Sequence, residues 1–220
     1  HFSWASRGEL VGYVYDQNSA TVARDGLEHV LRLIAQSNVD KINIVAHSMG
    51  NWVTVEAFRN IAISKEFPRG KMGAIILAAP DIDVDVFRSQ MARIGRPKKP
   101  FLIVLSRDDR ALALSRFIAG DESRLGDYKN AADLTKYNAI VVDLTDVQGL
   151  SPINHDKFAE LAMIAPQLKE VLAEGVGNRH SIEEDATAPV QNAPDVVKTV
   201  LSLPISVVAA PIVIIARQTQ

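Results

Sequence analysis

Apolar residues fall along this chain in two rhythms that alternate. Lys41 to Ala46, Gly73 to Ala79, Phe101 to Leu105 and Ala139 to Leu144 are short runs, nearly all apolar. Such runs predict strands: Gly73 to Ala79 buried on both faces, Phe101 to Leu105 and Ala139 to Leu144 buried as well, and Lys41 to Ala46 leading into the next helix. Between them lie longer stretches with helical spacing. Ala23, Leu27, Val30, Leu31 and Ile34 predict a helix over Ala20 to Gln36, with an N-cap offered by Asn18-Ser19 and a stop at Ser37-Asn38. Asn51 to Ile63, Val84 to Ile94, Arg110 to Ile118 and Asp156 to Leu172 also read as helices. Phe2 to Trp4 reads as the end of a further strand, followed by a loop at Ala5-Ser6-Arg7-Gly8. Gly120 to Asn130 reads as polar and irregular. Strands alternating with helices predict an α/β fold: a mostly parallel sheet with helices on both faces.

From Glu174 to Asp195 the composition shifts to Gly, Pro, Ala, Asn and acidic residues. This divides the chain into a domain over 1–173, a flexible linker over 174–198 and an apolar segment over 199–216. Thr199 to Ala216 is uncharged and flanked by Lys198 and Arg217. Its length is near the lower limit for a membrane-spanning helix, roughly 17–25 residues. Pro204 and Pro211 would kink such a helix, which membranes tolerate better than water does. Membrane contact and an apolar tail docked on the domain both remain open, and so does the choice between cytoplasm and cell envelope.

Composition narrows the chemistry. The 220 residues are 47% apolar and 23% charged, with a net charge of −2, so nothing favours nucleic acid as a partner. There is no cysteine, which excludes disulfides, thiol catalysis and thiolate-ligated zinc. The chain starts at His1 without a basic leader, and reads as an excerpt or a processed product.

The candidate chemistry begins at Ala46-His47-Ser48-Met49-Gly50, where the predicted strand from Lys41 meets the predicted helix from Asn51. A serine at a sharp strand-to-helix corner is the layout of a nucleophile elbow. Small residues at Ala46 and Gly50 would let strand and helix approach closely. The serine would sit beside a helix N-terminus, where backbone N–H groups can hold an oxyanion. His47 is adjacent, but neighbouring side chains diverge at such a corner, so it is expected to line the pocket or pack beneath it.

A serine hydroxyl needs a base, and a carboxylate to orient that base. In open α/β sheets these groups gather at the carboxyl ends of the strands, and where the serine sits on a nucleophile elbow the chain order is serine, acid, histidine. His155 follows the Ala139–Leu144 strand by a short loop and is the expected base. His180 falls in the linker, and His29 lies within a helix before the corner. Asp109 is favoured as the acid, with Asp108 the alternative and Asp81 or Asp83 more distant choices. An N-cap is the competing role for Asp108 and Asp109.

Several segments, taken in order, resemble one family. They are Phe2-Ser3-Trp4-Ala5-Ser6-Arg7-Gly8, Ser19-Ala20, Ile44 to Asn51, Ala78 to Asp83, Ser106 to Leu112 and Asn154 to Phe158. Together they resemble a bacterial family of uncharacterised α/β-hydrolases of the esterase/lipase superfamily, over Phe2 to about Leu172. Ala5 stands where that family usually has proline. The resemblance implies Ser48 as nucleophile, Asp109 as acid, His155 as base and Met49 N–H as an oxyanion donor, with no metal or organic cofactor. Such proteins carry a further strand and a His-Gly-Phe-like loop upstream of the Trp-x-Ser segment. The expectation is therefore an α/β-hydrolase fold lacking its N-terminal strands, and low activity, since one lost oxyanion donor costs about 10²–10³ in rate.

The predicted function is a serine hydrolase of carboxylic esters acting on a small acyl ester in an open site, shaped by Asp81–Val86 and Gly120–Lys136. A thioesterase or amidase would use the same groups. A non-catalytic shell used for binding or membrane tethering is the rival from another class.

Overall fold

The computed structural model describes residues 1–9, 12–65, 70–120, 123–146, 152–160, 206–209 and 212–215. Four strands lie side by side in chain order and parallel: β1 (Ile42–His47), β2 (Met72–Ala78), β3 (Phe101–Leu105) and β4 (Ala139–Asp143). Parallel neighbours require a crossover. α2 (Met49–Ile63) joins β1 to β2, α3 (Val84–Ile94) joins β2 to β3, and α4 (Arg110–Ile118) follows β3. α1 (Tyr13–Gln36) precedes the sheet.

One row across the sheet explains the core. Ala46, Leu77, Ile103 and Val141 stand in register on the same face. That face packs on Leu31 of α1, Val55, Phe58 and Ile61 of α2, and Phe87, Met91 and Ile94 of α3. Removing this apolar area from water supplies roughly 25 cal/mol per Å². The helix layer is also tied by one buried carboxylate: Glu56 of α2 accepts from Arg24 of α1 at 3.2 Å and from Gln90 of α3 at 2.8 Å.

Differences from the predicted elements have local causes. α1 begins at Tyr13, seven residues before the predicted start, with Gly12 as its N-cap and no side-chain cap. Its first turns face inward through Tyr13 and Asp16, which hydrogen-bond, so apolar spacing does not reveal them. Asn18-Ser19 lies inside the helix, and Ser19 Oγ donates to the Ala5 carbonyl rather than capping. Phe2 to Trp4 forms no strand. Its rings lie on the helices instead, Phe2 against Gly26 of α1 and Trp4 against Gly50 of α2. The following loop hangs from Asp16, which accepts from the Ser6 hydroxyl at 2.7 Å and from the Arg7 and Gly8 N–H groups at 2.8 and 3.2 Å. The Arg7 N–H bond comes first among the contacts that lower the carboxyl's pKa.

Over residues 123–130 the chain has only a 3₁₀ turn at Leu125–Asp127, but that part is buried: Arg124, Leu125, Gly126 and Asp127 are all inside. It runs along the segment after β2, with Leu125 N–H donating to Ile82 O and Gly126 N–H to Pro80 O. A side chain at Gly126 would meet Leu112 Cδ1 at 2.4 Å and the Pro80 backbone at 2.9 Å, so only glycine fits.

Within the apolar C-terminal segment, β5 (Ser206–Ala209) pairs antiparallel with β4, and β6 (Ile212–Ile215) pairs antiparallel with β5. No helix among the described residues is long and apolar enough to cross a membrane. The predicted linker over 174–198 and most of the predicted helix Asp156–Leu172 lie outside the described residues; Lys157–Glu160 forms a 3₁₀ turn.

Candidate active site

The carboxyl ends of β1 and β2 both turn sharply. Ser48, the residue between β1 and α2, has φ 52° and ψ −127°, and Ala79, just past β2, has φ 43°. A side chain in such a region costs about 1–3 kcal/mol and persists only where surrounding structure over-determines it. Here that structure is visible. Ser48 N–H donates to Ala78 O at 3.0 Å, and Ala79 N–H to Val104 O at 2.9 Å, so each turn continues the pairing of its strand. The Ser48 carbonyl accepts from Asn51 N–H at 3.1 Å, Asp81 N–H at 3.3 Å and Asn51 Nδ2 at 2.9 Å. Asn51 Nδ2 also donates to Ala78 O at 2.8 Å, and Asn51 is fully buried. Met49 is the first residue of α2, so its N–H has no carbonyl within the helix. At Gly50 an added Cβ would meet the Trp4 ring at an ordinary 3.6 Å. Gly50 is therefore not required by the close approach expected there, while Ala46 is buried.

The second corner follows β3. Asp109, 1% exposed, caps α4 through Oδ1, which accepts from Leu112 N–H at 3.0 Å. Its Oδ2 lies 2.7 Å from His155 Nδ1. Capping and orienting the imidazole are therefore one arrangement, with one oxygen for each. Because a carboxylate oxygen accepts, the hydrogen of that contact sits on Nδ1.

His47 packs between the two corners. Its Nε2 is 3.2 Å from the His155 carbonyl, which can only accept, so Nε2 carries the hydrogen. The ring lies 4.7 Å from the His155 ring and 4.3 Å from that of Phe158. Burial pushes the His47 imidazole below its ordinary 6.5, outweighing the bond to His155, and keeps it neutral. Asp109 and His155 are thus in direct contact. Among the described residues no hydrogen bond joins Ser48 Oγ to His155, and the corners meet through His47.

The other sequence candidates lie elsewhere. Asp108 bonds Lys157 and Asn154 rather than His155. Asp83 caps α3, accepting from Asp85 and Val86 N–H. Asp81 belongs to a buried polar knot: it accepts from Ser115 Oγ at 2.6 Å and Tyr13 OH at 3.0 Å, with Arg124 Nε at 3.4 Å. Burial leads in pushing the Tyr13 hydroxyl up to about 12, with the Asp81 charge second. His29 is exposed on α1, and His180 lies outside the described residues. Sequence reasoning gave no role to Asn51 or Lys157. Asking which buried polar side chains could hold the two corner backbones would have pointed to both.

A parallel sheet with crossover helices, a strained serine at the end of β1 and an Asp–His pair beyond β3 and β4 define an α/β-hydrolase fold. Residues 1–173 match the family described as alpha/beta hydrolase of unknown function (DUF900), and the chain belongs to that family. No curated protein and no solved structure matches it.

Proposed function

We propose that this protein is a serine hydrolase of carboxylic esters, with Ser48 as nucleophile, His155 as base and Asp109 as the acid that orients it. The observation carrying this reading is the 2.7 Å contact of His155 Nδ1 with Asp109 Oδ2, at the same end of the sheet as the strained Ser48. Ser48 Oγ attacks the ester carbonyl while His155 Nε2 takes its proton. Asp109 stabilises the imidazolium without taking the proton itself. The oxyanion that develops faces the N-terminus of α2, where Met49 N–H is free to donate. Collapse expels the alcohol, which leaves with the proton from His155. Water, activated by the same imidazole, then releases the acid from the acyl-enzyme.

Fluorophosphonate labelling tests the reading. Wild-type protein should label, and Ser48→Ala should not. Absence of labelling in folded wild-type protein supports the non-catalytic shell instead. A panel of oxyesters, thioesters and amides then separates the acyl donors that share this chemistry.

A further inference from the structure

Asp108 and Asp109 are chain neighbours with separate partners. Asp109 holds the imidazole of His155, whereas Asp108 holds the chain on either side of it. Asp108 Oδ2 accepts from Asn154 Nδ2 at 2.9 Å, and its two oxygens accept from Lys157 Nζ at 2.7 and 2.8 Å. The Ser106 hydroxyl donates to Oδ1 as well. The Lys157 side chain is only 2% exposed, and its ammonium also donates to the carbonyls of Leu144 at 3.1 Å and Thr145 at 3.0 Å, just past β4. One buried cation thereby ties the ends of β3 and β4 to the segment that carries His155.

The remaining backbone of that segment is pinned as well. Arg110 N–H donates to Ile153 O at 3.0 Å, and His47 donates to His155 O. Asn154 sits at φ 57°, a left-handed conformation that asparagine tolerates when its side chain is anchored. A buried ammonium is costly unless paired and fully hydrogen-bonded, and this one is both. Partial burial would raise the Asp108 carboxyl, but the bonds from Lys157 and Ser106 outweigh it and hold it below its usual range. The Asp108 carboxylate is therefore ionised at neutral pH.

We propose that the Lys157–Asp108 ion pair is a positioning device for His155: it sets the loop geometry in which the imidazole keeps Nδ1 on Asp109 and offers Nε2 to the nucleophile. This rests on the serine-hydrolase reading for its kinetic consequence, though not for its structural one. Neither residue touches substrate; both act through His155.

The test compares wild type, Lys157→Met and Asn154→Ala. Asn154 is only partly buried, so its variant keeps the question answerable if Lys157→Met fails to fold. Fluorophosphonate labelling is measured against probe concentration, which separates the maximal rate from apparent affinity. The His155 Nδ1 proton is followed by NMR, and folding by thermal denaturation. Lys157→Met should lower the maximal labelling rate by about 10²-fold and Asn154→Ala by roughly tenfold, with apparent affinity unchanged. The protected Nδ1 proton signal should weaken in the same order. Wild-type maximal rates in the folded variants, or losses that only follow the unfolded fraction, overturn the proposal. If wild-type protein does not label, the hydrolase reading fails and the NMR signal decides alone. An undiminished Nδ1 signal in the folded variants then overturns the positioning role, and its loss sustains it.

Discussion

The two corners of the site are held by different physics. At Ser48 the backbone is strained and the restraint is made of neutral hydrogen bonds, from strand-end amides and the Asn51 carboxamide. At His155 the restraint adds ionisable groups, Asp109 on the ring and Asp108 with Lys157 on the loop, to the neutral bonds from Arg110 N–H and His47. The first arrangement is indifferent to pH and salt over any ordinary range. The second depends on ionisation states, because a buried partner left alone carries its full desolvation cost. A serine needs only a fixed direction, whereas an imidazole must be held and also tuned. The difference in restraint matches that difference in task.

The largest expected break in this contrast is on the neutral side. Asn51→Ala removes two hydrogen bonds from the elbow, and should destabilise the protein by about 2 kcal/mol. Thermal denaturation would read this as a fall of roughly 4–8 °C. The drop should be the same at pH 6 and pH 8, since no ionisable group is removed. A strongly pH-dependent effect would show that the elbow is not the neutral corner described.

A smaller effect sharpens the same side. Ser48→Gly relieves the left-handed strain that Ser48→Ala retains. The glycine variant should be the more stable of the two by about 1 kcal/mol, measured by denaturant unfolding. Equal stabilities would mean that the corner carries no strain.

The smallest effect lies on the charged side. The His47 pKa is depressed in the folded protein, so the unfolded chain binds more protons as pH falls through 6.5. Folding is therefore unpenalised by this group above 6.5, and weakened progressively below it, down to the depressed folded value. His47→Gln keeps a donor for the His155 carbonyl but does not titrate. Its melting temperature should fall less than that of wild type between pH 7 and pH 5. Parallel pH curves for the two proteins would remove His47 from this account.

These contrasts also explain what the sequence made legible. Continuous apolar runs announce strands, although β1 is not covered on both faces, with Val45 66% exposed. The observed β3, α3 and α4 have the predicted bounds, β3 because every position is buried and the helices because Asp83 and Asp109 cap them. Chain order and places beyond strand ends favour Asp109 as the partner of His155 but leave Asp108 open, and it is the family resemblance that implies Asp109. The start of α1 could not, because Tyr13 and Asp16 turn polar contacts inward and leave no apolar period. Phe2 and Trp4 read as strand residues because large apolar side chains look alike in a sheet or laid across helices. Asn51 and Lys157 escaped for a related reason. Both bond backbone carbonyls, which have no signature in the sequence, and Lys157 reaches Asp108 across 49 positions of chain.

The Ser48 carbonyl, with three donors on one oxygen, has a dynamic consequence. For the elbow to relax, Asn51 and Asp81 must release together, so the corner should open as one cooperative unit rather than flicker bond by bond. In hydrogen exchange the amides of Ser48, Asn51 and Asp81 would then share a single slow opening. The serine would keep its bearing through the faster excursions of the loops around it.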